Sequence, residues 1–436
     1  MPGDAPTIWL TTLGCAKNQV DSDKIDARLE GAGYARAASP ESADVVLVNT
    51  CAFIEAARRE SIDAILDASA RKRPDAGLVV LGCMAQRYQA ELADSLPEAD
   101  AVFGMERYGE LVGALDRLTG WEPIRFEAGP MDILYEVRRP TPSTPYAYVK
   151  VAEGCDKPCT FCAIPQFRGK QRSRAALDIR SEIASLAAAG VGEIVLVAQD
   201  LASYGRDIAA PGGIVDLVRF VGDVTGLRSL RLLYLYPREI TDDLIAEMTT
   251  NPVVVPYFDL SLQHASGRLL RAMRRPGDGV RHLELIDRIR AARPDAALRS
   301  SFIVGFPGET DDDVEVLADF LRTGRLDWAG FFPYSAEEGT PAADLPGRVP
   351  PDDAAERTRL LQEIQEEMTA QQNARQVGRV LDVVVDLVEE GIPVARSYRE
   401  APEIDGVIVL DRGRPGEWLR AEVTASYGSE LEAVVA

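Results

Sequence analysis

Histidine is scarce in this chain: His264 and His282 are the only two among 436 residues. Metal sites of the mixed Cys/His kind therefore have little to draw on. No run of about 18 apolar residues occurs, so no helix is expected to span a membrane. The opening segment, MPGDAPTIWL, lacks the basic stretch and apolar run of a secretory signal, and a cytoplasmic location is expected. A net-basic region is missing too. The chain carries 48 basic and 69 acidic side chains, net -21. Residues 1–140 hold 15 and 23 of these, residues 372–436 hold 7 and 12, and the middle holds 26 and 34. A protein that grips nucleic-acid phosphates presents a basic face. This balance fits plain solubility, or the steering of a basic partner. Low-complexity tracts and short-period repeats are also absent.

The chain is too long for one ordinary domain, and two or three are expected. Hydrophobic residues make up 46% and charged residues 27%, the mixture of a globular chain with a full core. Six cysteines remain to be explained. In a reducing compartment they point to metal binding or catalysis rather than disulfides.

Three strand-then-helix units open the sequence: TIWLTTL with a helix from Asp21 to Gly31, DVVLVNT with one from Glu55 to Ala70, and GLVVLG with one through Gln89 to Asp94. Such alternation predicts a doubly wound parallel sheet over residues 6–120. Residues 121–145 lose periodicity, gain prolines and read as a linker. Six more strands follow over 146–371: AYVKVAE, EIVLVAQ, LRLLYLY, YFDLSLQ, LRSSFIVGF and WAGFFPY. Amphipathic helices such as Ala175–Ala189 and Val280–Ala292 separate them, which predicts a (β/α) barrel or partial barrel. A polar helix over Asp352–Arg375 closes this region. Residues 372–436 then show strands without helices, the pattern of a small antiparallel β-barrel.

Cys155, Cys159 and Cys162 stand at CxxxCxxC spacing just after a strand. Thiolates are the ligands of iron–sulfur clusters, and three of them leave the fourth iron of a four-iron cluster open to a substrate. Zinc or inert buried thiols are the other readings. Zinc wants a fourth Cys or His nearby, and neither histidine lies within a hundred residues of the loop.

Cys15, Cys51 and Cys83 are 36 and 32 residues apart, so no local motif joins them. Each, however, ends a strand of the first sheet. In a parallel sheet all three reach the same carboxyl edge, where ligands of open α/β folds bind. Singly, each is explained as a small apolar residue at a strand end. Together they make a second three-thiol site.

These residues carry a family resemblance. The segment EGCDKPCTFCAIP, with the aromatic Phe161, resembles the radical S-adenosylmethionine (SAM) motif. SSFIVGFPGET, containing Gly305, resembles that superfamily's glycine-rich turn beside SAM. IVLVAQDLASYG and LSLQHASGRLL resemble its strand ends, which implies that Gln199 and Gln263 line the SAM pocket. Polar strand ends meeting water account for both glutamines as well. TLGCAKNQVDSD, NTCAFIEAARRESI and GCMAQRYQAEL resemble the N-terminal domain of the radical SAM methylthiotransferases, whose C-terminal barrel is a TRAM domain. The resemblance covers nearly the whole chain and uses all six cysteines. It implies two [4Fe-4S] clusters and SAM as cofactors, the second cluster delivering sulfur. It also implies that one SAM methylates that sulfur, while another yields the radical that abstracts substrate hydrogen.

One branch of that family modifies transfer-RNA adenosine. The other modifies the β-carbon of an aspartate in small-subunit ribosomal protein S-twelve. The stretch APEIDG and the acidic last domain favour the protein branch, since a basic ribosomal protein suits an acidic platform. Nucleic acid is then not the expected direct substrate. An electron donor of flavodoxin or ferredoxin type and a sulfur donor are implied partners. A non-catalytic iron–sulfur redox protein is the alternative of another class, and open coordination at both sites argues against it. No general acid or base stands out, and a cofactor that carries the chemistry needs none. Two further readings concern charge. The run Arg168, Lys170, Arg172, Arg174 is read as a holder of an anionic group, or else as a solvated loop. Glu400, Glu403 and Asp405 are read as substrate-facing carboxylates.

Overall fold

The computed structural model describes residues 5–120, 134, 135, 137, 139, 140 and 142–436. Most of the expected linker, residues 121–133 with 136, 138 and 141, lies outside them. The chain divides into two compact units. One comprises residues 1–140 with 163–170, the other 141–162 with 171–436.

In the first unit, alternating apolar strands and helices build a parallel sheet. Its strands are β1 (Thr7–Thr12), β2 (Ala35–Arg36), β3 (Val45–Thr50), β4 (Gly77–Leu81) and β5 (Ala101–Phe103). They pair in the order β2-β1-β3-β4-β5, and every pairing is parallel. The helices are α1 (Ala16–Gly31), α2 (Glu55–Arg71), α3 (Gly82–Ser95) and α4 (Leu111–Thr119). Every residue of β3 is buried, as its unbroken VVLVNT run requires of a central parallel strand. The strand order changes direction between β1 and β3, the kind of switch point where open α/β sheets bind ligands. A short helix, α5 (Ile164–Arg168), belongs to this unit and buries Phe167 in its core.

The second unit holds six principal parallel strands in two sheets. Strands β6 (Tyr146–Lys150), β9 (Glu193–Val197) and β10 (Ser229–Leu232) form the first, after the small hairpin of β7 (Ala152–Glu153) and β8 (Arg172–Ser173) is set aside. Strands β11 (Tyr257–Gln263), β12 (Ala297–Val304) and β13 (Trp328–Pro333) form the second. Isolated parallel bridges, Leu230 to Val254 and Leu235 to Leu260, stitch the two together. The expected barrel is therefore a partial one, running from β6 to β13. Its core is apolar, with Val149, Ile194, Leu196, Leu230, Phe258 and Leu298 almost fully buried.

A closed five-stranded barrel ends the chain: β14 (Val380–Glu389), β15 (Ile392–Arg396), β16 (Ile408–Leu410), β17 (Trp418–Tyr427) and β18 (Glu430–Val435). Four of its pairings are antiparallel, and β16 runs parallel to β18. The barrel packs within the second unit through buried charge. Glu193 of β9 takes Arg231 Nε at 2.8 Å on one oxygen and Arg396 Nη1 at 2.9 Å on the other. Arg396 also meets Asp386 at 2.5 Å, and Arg399 bonds Asp327 and Asn373.

Glu400 and Asp405 do not face a substrate as expected, because their side chains are buried, while Glu403 is exposed but engaged. Glu400 is 1% exposed and accepts the Ser397 backbone N–H and hydroxyl. The Glu403 carboxylate accepts the hydroxyls of Tyr146 and Tyr148. Asp405 accepts the Tyr257 hydroxyl at 2.5 Å and faces Arg299 at 3.4 Å. Glu403 and Asp405 tie the barrel to the core, Glu403 as an exposed residue held by two tyrosines, whereas Glu400 is buried within the barrel's own β15–β16 connection.

Candidate functional site

The first unit gathers its three cysteines at one sheet edge. Cys15 caps the start of α1 after β1, Cys51 follows β3 directly, and Cys83 opens α3 after β4. The three strands are neighbours in the sheet. Two glycines make the approach possible. A Cβ on Gly14, at φ +95°, would stand 2.8 Å from both Cβ and Sγ of Cys51. A Cβ on Gly82, at φ +93°, would stand 2.5 Å from the Thr50 carbonyl oxygen. The repeated LGC in TLGC and VVLGC is thus a steric requirement of the edge.

Asn18 ties that edge together. Its amide donates to Leu13 O at 2.9 Å and Thr50 O at 3.0 Å, and its Oδ1 accepts Arg168 Nη2 at 2.6 Å. Arg168 is buried and reaches Cys83 Sγ at 2.9 Å and Asp21 at 3.6 Å. Burial pushes the Cys83 thiol up to about 12 and raises Cys51, while Arg168 pulls both down. At Cys15 burial also acts upward, but Lys17 and Arg168, together with the backbone N–H groups of Asn18 and Lys17, outweigh it and the thiol is lowered.

In the second unit, Cys155, Cys159 and Cys162 lie on the loop after β7, each partly exposed. Thr160 anchors that loop. Its N–H donates to Met273 O and its hydroxyl to Ala272 O, and its carbonyl accepts the Ala342 N–H. The Lys157 N–H points at Cys155 Sγ from 3.5 Å, and Arg275 Nη1 lies 3.6 Å from Cys159 Sγ. Burial pushes the Cys155 thiol up to about 11.

The other residues expected at the SAM pocket fall at carboxyl ends of core strands. Gln199 lies just beyond β9 and donates to Glu153 Oε1 at 2.7 Å; Lys150 donates to the other oxygen of Glu153 at 2.7 Å. Gln263 ends β11 with φ +72°, a backbone shape few side chains adopt. Gly305 follows β12, donates its N–H to both oxygens of Glu309, and would bring a Cβ within 2.8 Å of Ala354. Phe161, on the cysteine loop, packs against the buried cluster of Leu269, Leu270, Met273, Phe306 and Ala342. The basic run is not one anion cradle. Arg168 enters the first unit's core beside Cys83, whereas Arg174, in the second unit, is buried on Lys150 O and Glu182. The sequence reading missed Asn18 and Glu153, whose polar character close to a cysteine was their only signal.

Among the described residues, no group of three or more His, Cys, Asp or Glu side chains is placed to hold a single metal ion. A cluster of several irons makes a different demand, because it spreads its thiolates around its corners. Sulfur donors on three adjacent strand ends, buried beside a guanidinium, fit such an anionic group, as do three thiols on one anchored loop.

Three family descriptions match successive stretches. Residues 7–104 match the "Uncharacterized protein family UPF0004", residues 149–321 the radical SAM superfamily and residues 377–436 the TRAM domain. Fold and sequence together define a radical SAM enzyme, of the class that uses an iron–sulfur cluster and SAM. The chain is 44% identical to the ribosomal protein uS12 methylthiotransferase RimO of Moorella thermoacetica, over 96% of this chain and 97% of that protein. It is 40% identical to the protein of the same name from Aquifex aeolicus, over 98% of both chains. The chain belongs to this RimO family of radical SAM methylthiotransferases. In fold it is similar to the radical SAM methyltransferase TsrM from Kitasatospora setae, with a TM-score of 0.54, 14% identity and coverage of 78% of this chain and 77% of that one.

Proposed function

We propose that this enzyme methylthiolates the β-carbon of an aspartate in ribosomal protein uS12. The observation that carries the reading is full-length similarity to uS12 methylthiotransferases in a chain whose six cysteines fall into two three-thiol sets. Cys155, Cys159 and Cys162 are assigned to one [4Fe-4S] cluster, and Cys15, Cys51 and Cys83 to a second. When bound, the first would take SAM at its open iron and supply the electron for its cleavage, and the second would supply sulfur. The chain's own residues prepare these places. Asn18 fixes the spacing of the β1 and β3 ends, and Arg168 sets a permanent positive charge against the anionic thiolates. The buried Lys150–Glu153 pair orients the half-buried Gln199 amide at the mouth of β9. Gln199, Gln263, Gly305 and Phe161 are assigned to the SAM pocket. Side chains with no titratable role suffice there, because the cofactor carries the chemistry. No described helix is long and apolar enough to cross a membrane. We place the enzyme in the cytoplasm, where its substrate is made and where a low-potential electron carrier and a sulfur donor are at hand.

The test is mass spectrometry of uS12 after anaerobic incubation with enzyme, SAM, sulfide and reductant. A mass gain of one methylthio group on a single aspartate is the expected result. Modification of transfer RNA with uS12 untouched would overturn the assignment.

A further inference from the structure

A cleft of about 350 Å³ opens beside the Cys155–Cys162 loop, and its charge runs against that of the rest of the chain. Lys157, Arg238, Arg271, Arg274 and Arg275 line it, with Glu239 as the single carboxylate. Glu239 is already engaged by Lys157 at 2.7 Å and by Arg206. Arg275 is buried, stacks on the Tyr236 ring at 4.0 Å, and reaches Cys159 Sγ at 3.6 Å. The Lys157 ammonium lies over the same ring at 4.4 Å. Arg238, Arg271 and Arg274 are exposed, and no described carboxylate pairs with any of them. In a chain of net charge -21, three unpaired arginines at one rim are a local reversal of sign.

We propose that this cleft is the docking surface for an acidic electron-transfer protein that reduces the cluster held by Cys155, Cys159 and Cys162. The proposal rests on the cluster assignment above. One electron leaves the donor's reduced cofactor and enters the cluster; the donor is oxidised by one electron, the cluster is reduced by one, and no atom is transferred. Electron-transfer encounters are small and transient, and long-range charge attraction steers them. A cationic rim on an acidic protein selects acidic partners and repels a basic one, so uS12 is excluded from this face. The same rim would attract RNA phosphates. Its place against the Cys159 thiol favours the electron donor, because electron delivery gains from that proximity and RNA binding does not.

The experiment uses the reconstituted enzyme, SAM, and two reductants: an acidic flavodoxin reduced by its NADPH-dependent reductase, and dithionite. The variant is R238E/R271E/R274E, with the triple alanine form as a milder companion. All three sites are exposed, so folding is expected to persist. At low salt the reversed variant should cleave SAM at least about tenfold more slowly with flavodoxin, and the alanine form should fall between it and the wild type. Both should match the wild type with dithionite. The wild-type flavodoxin rate should fall as salt rises, and that of the reversed variant should not. An unchanged flavodoxin rate in the reversed variant, or an equal loss with dithionite, overturns the docking proposal. So does anisotropy showing that a short RNA binds the wild type and not the variant while flavodoxin rates agree. Wild-type enzyme that cleaves no SAM even with dithionite defeats the cluster assignment, and the docking proposal with it.

Discussion

The Arg168 guanidinium reaches the Sγ of Cys83 at 2.9 Å, and both groups are buried. A cation at that distance favours thiolate over thiol, whereas burial alone favours the neutral form. Arg168→Gln removes the charge and leaves Asp21 facing the gap. Reconstituted Arg168→Gln protein should therefore hold clearly less iron than wild type, with the loss confined to the first unit's site. SAM cleavage should continue and sulfur insertion should fail. Arg168→Lys keeps the charge without the forked geometry and should recover part of the iron. Iron assay and deoxyadenosine chromatography decide the matter, and full iron in Arg168→Gln would remove Arg168 from the site.

The two cysteine sets should separate by function. Wild-type protein reconstituted without oxygen should hold about eight irons, as two four-iron clusters do. Replacing Cys155, Cys159 and Cys162 with Ala should remove about half of them and abolish SAM cleavage. Replacing Cys15, Cys51 and Cys83 with Ala should remove the other half, spare cleavage, and stop methylthiolation. A folded variant of the second kind that fails to cleave SAM would undo this division.

Much of this was legible in the sequence because parallel strands announce themselves as apolar runs. VVLVNT and GLVVL became β3 and β4, and their cysteines reached one edge as the alternation implied. The third helix, expected through Gln89 to Asp94, extends back to Gly82, because the GCM turn carries no polar cap to mark its start. Short strands escaped: β2 and β5, of two and three residues, are too brief to show a period, and β18 is hidden in a mixed tail. Charge was the hardest to place. Glu400 and Asp405 read as surface acids because sequence does not reveal that a serine hydroxyl, a tyrosine hydroxyl and arginines meet them in the interior.

The buried ion triad of Glu193, Arg231 and Arg396 should be costly to break. Each arginine is 2% exposed or less, and Glu193 lies between them. Glu193→Gln deprives two buried guanidiniums of their shared counter-charge, and a loss of about 3–5 kcal/mol is expected. Denaturant unfolding followed by circular dichroism measures it. A change below about 1 kcal/mol would show that Asp386 and the carbonyls of Ser397 and Tyr398 compensate on their own.

Acid should weaken the fold partly through His282. Burial, helped by the charge of Arg275, holds its imidazole down to about 4. An unfolded histidine titrates near about 6.5. As pH falls from about 6.5 to about 4 the unfolded chain binds a proton that the folded chain refuses, so stability drops across that window and is unaffected above it. Asp405, raised by burial to about 6, works the other way and favours the fold as pH falls. The His282 contribution is therefore read by difference, from urea midpoints of wild type and His282→Asn at pH 7 and pH 4.5. The wild type should lose more than the variant between the two pH values, and parallel losses would exclude His282 as the cause.

Substrate capture should depend on carboxylates that are free to act at a distance. Glu400 and Asp405 are not, and lysine there would leave the charges of Arg299 and Arg399 opposed inside the fold. Such a variant should misfold rather than report on binding. Glu389, Glu390, Glu422 and Glu430 are exposed on the terminal barrel. Their reversal to Lys changes the charge of residues 372–436 from net -5, with 7 basic and 12 acidic side chains, to net +3, with 11 and 8. If that barrel steers a basic ribosomal protein, the fourfold variant should capture uS12 more slowly, and its residual rate should lose the salt dependence of the wild type. Deoxyadenosine formation without uS12 should be unchanged, since no SAM-pocket residue is touched. Stopped-flow association with labelled uS12 at two ionic strengths gives the answer. Equal rates for variant and wild type at low salt would mean that the barrel's acidity serves solubility alone.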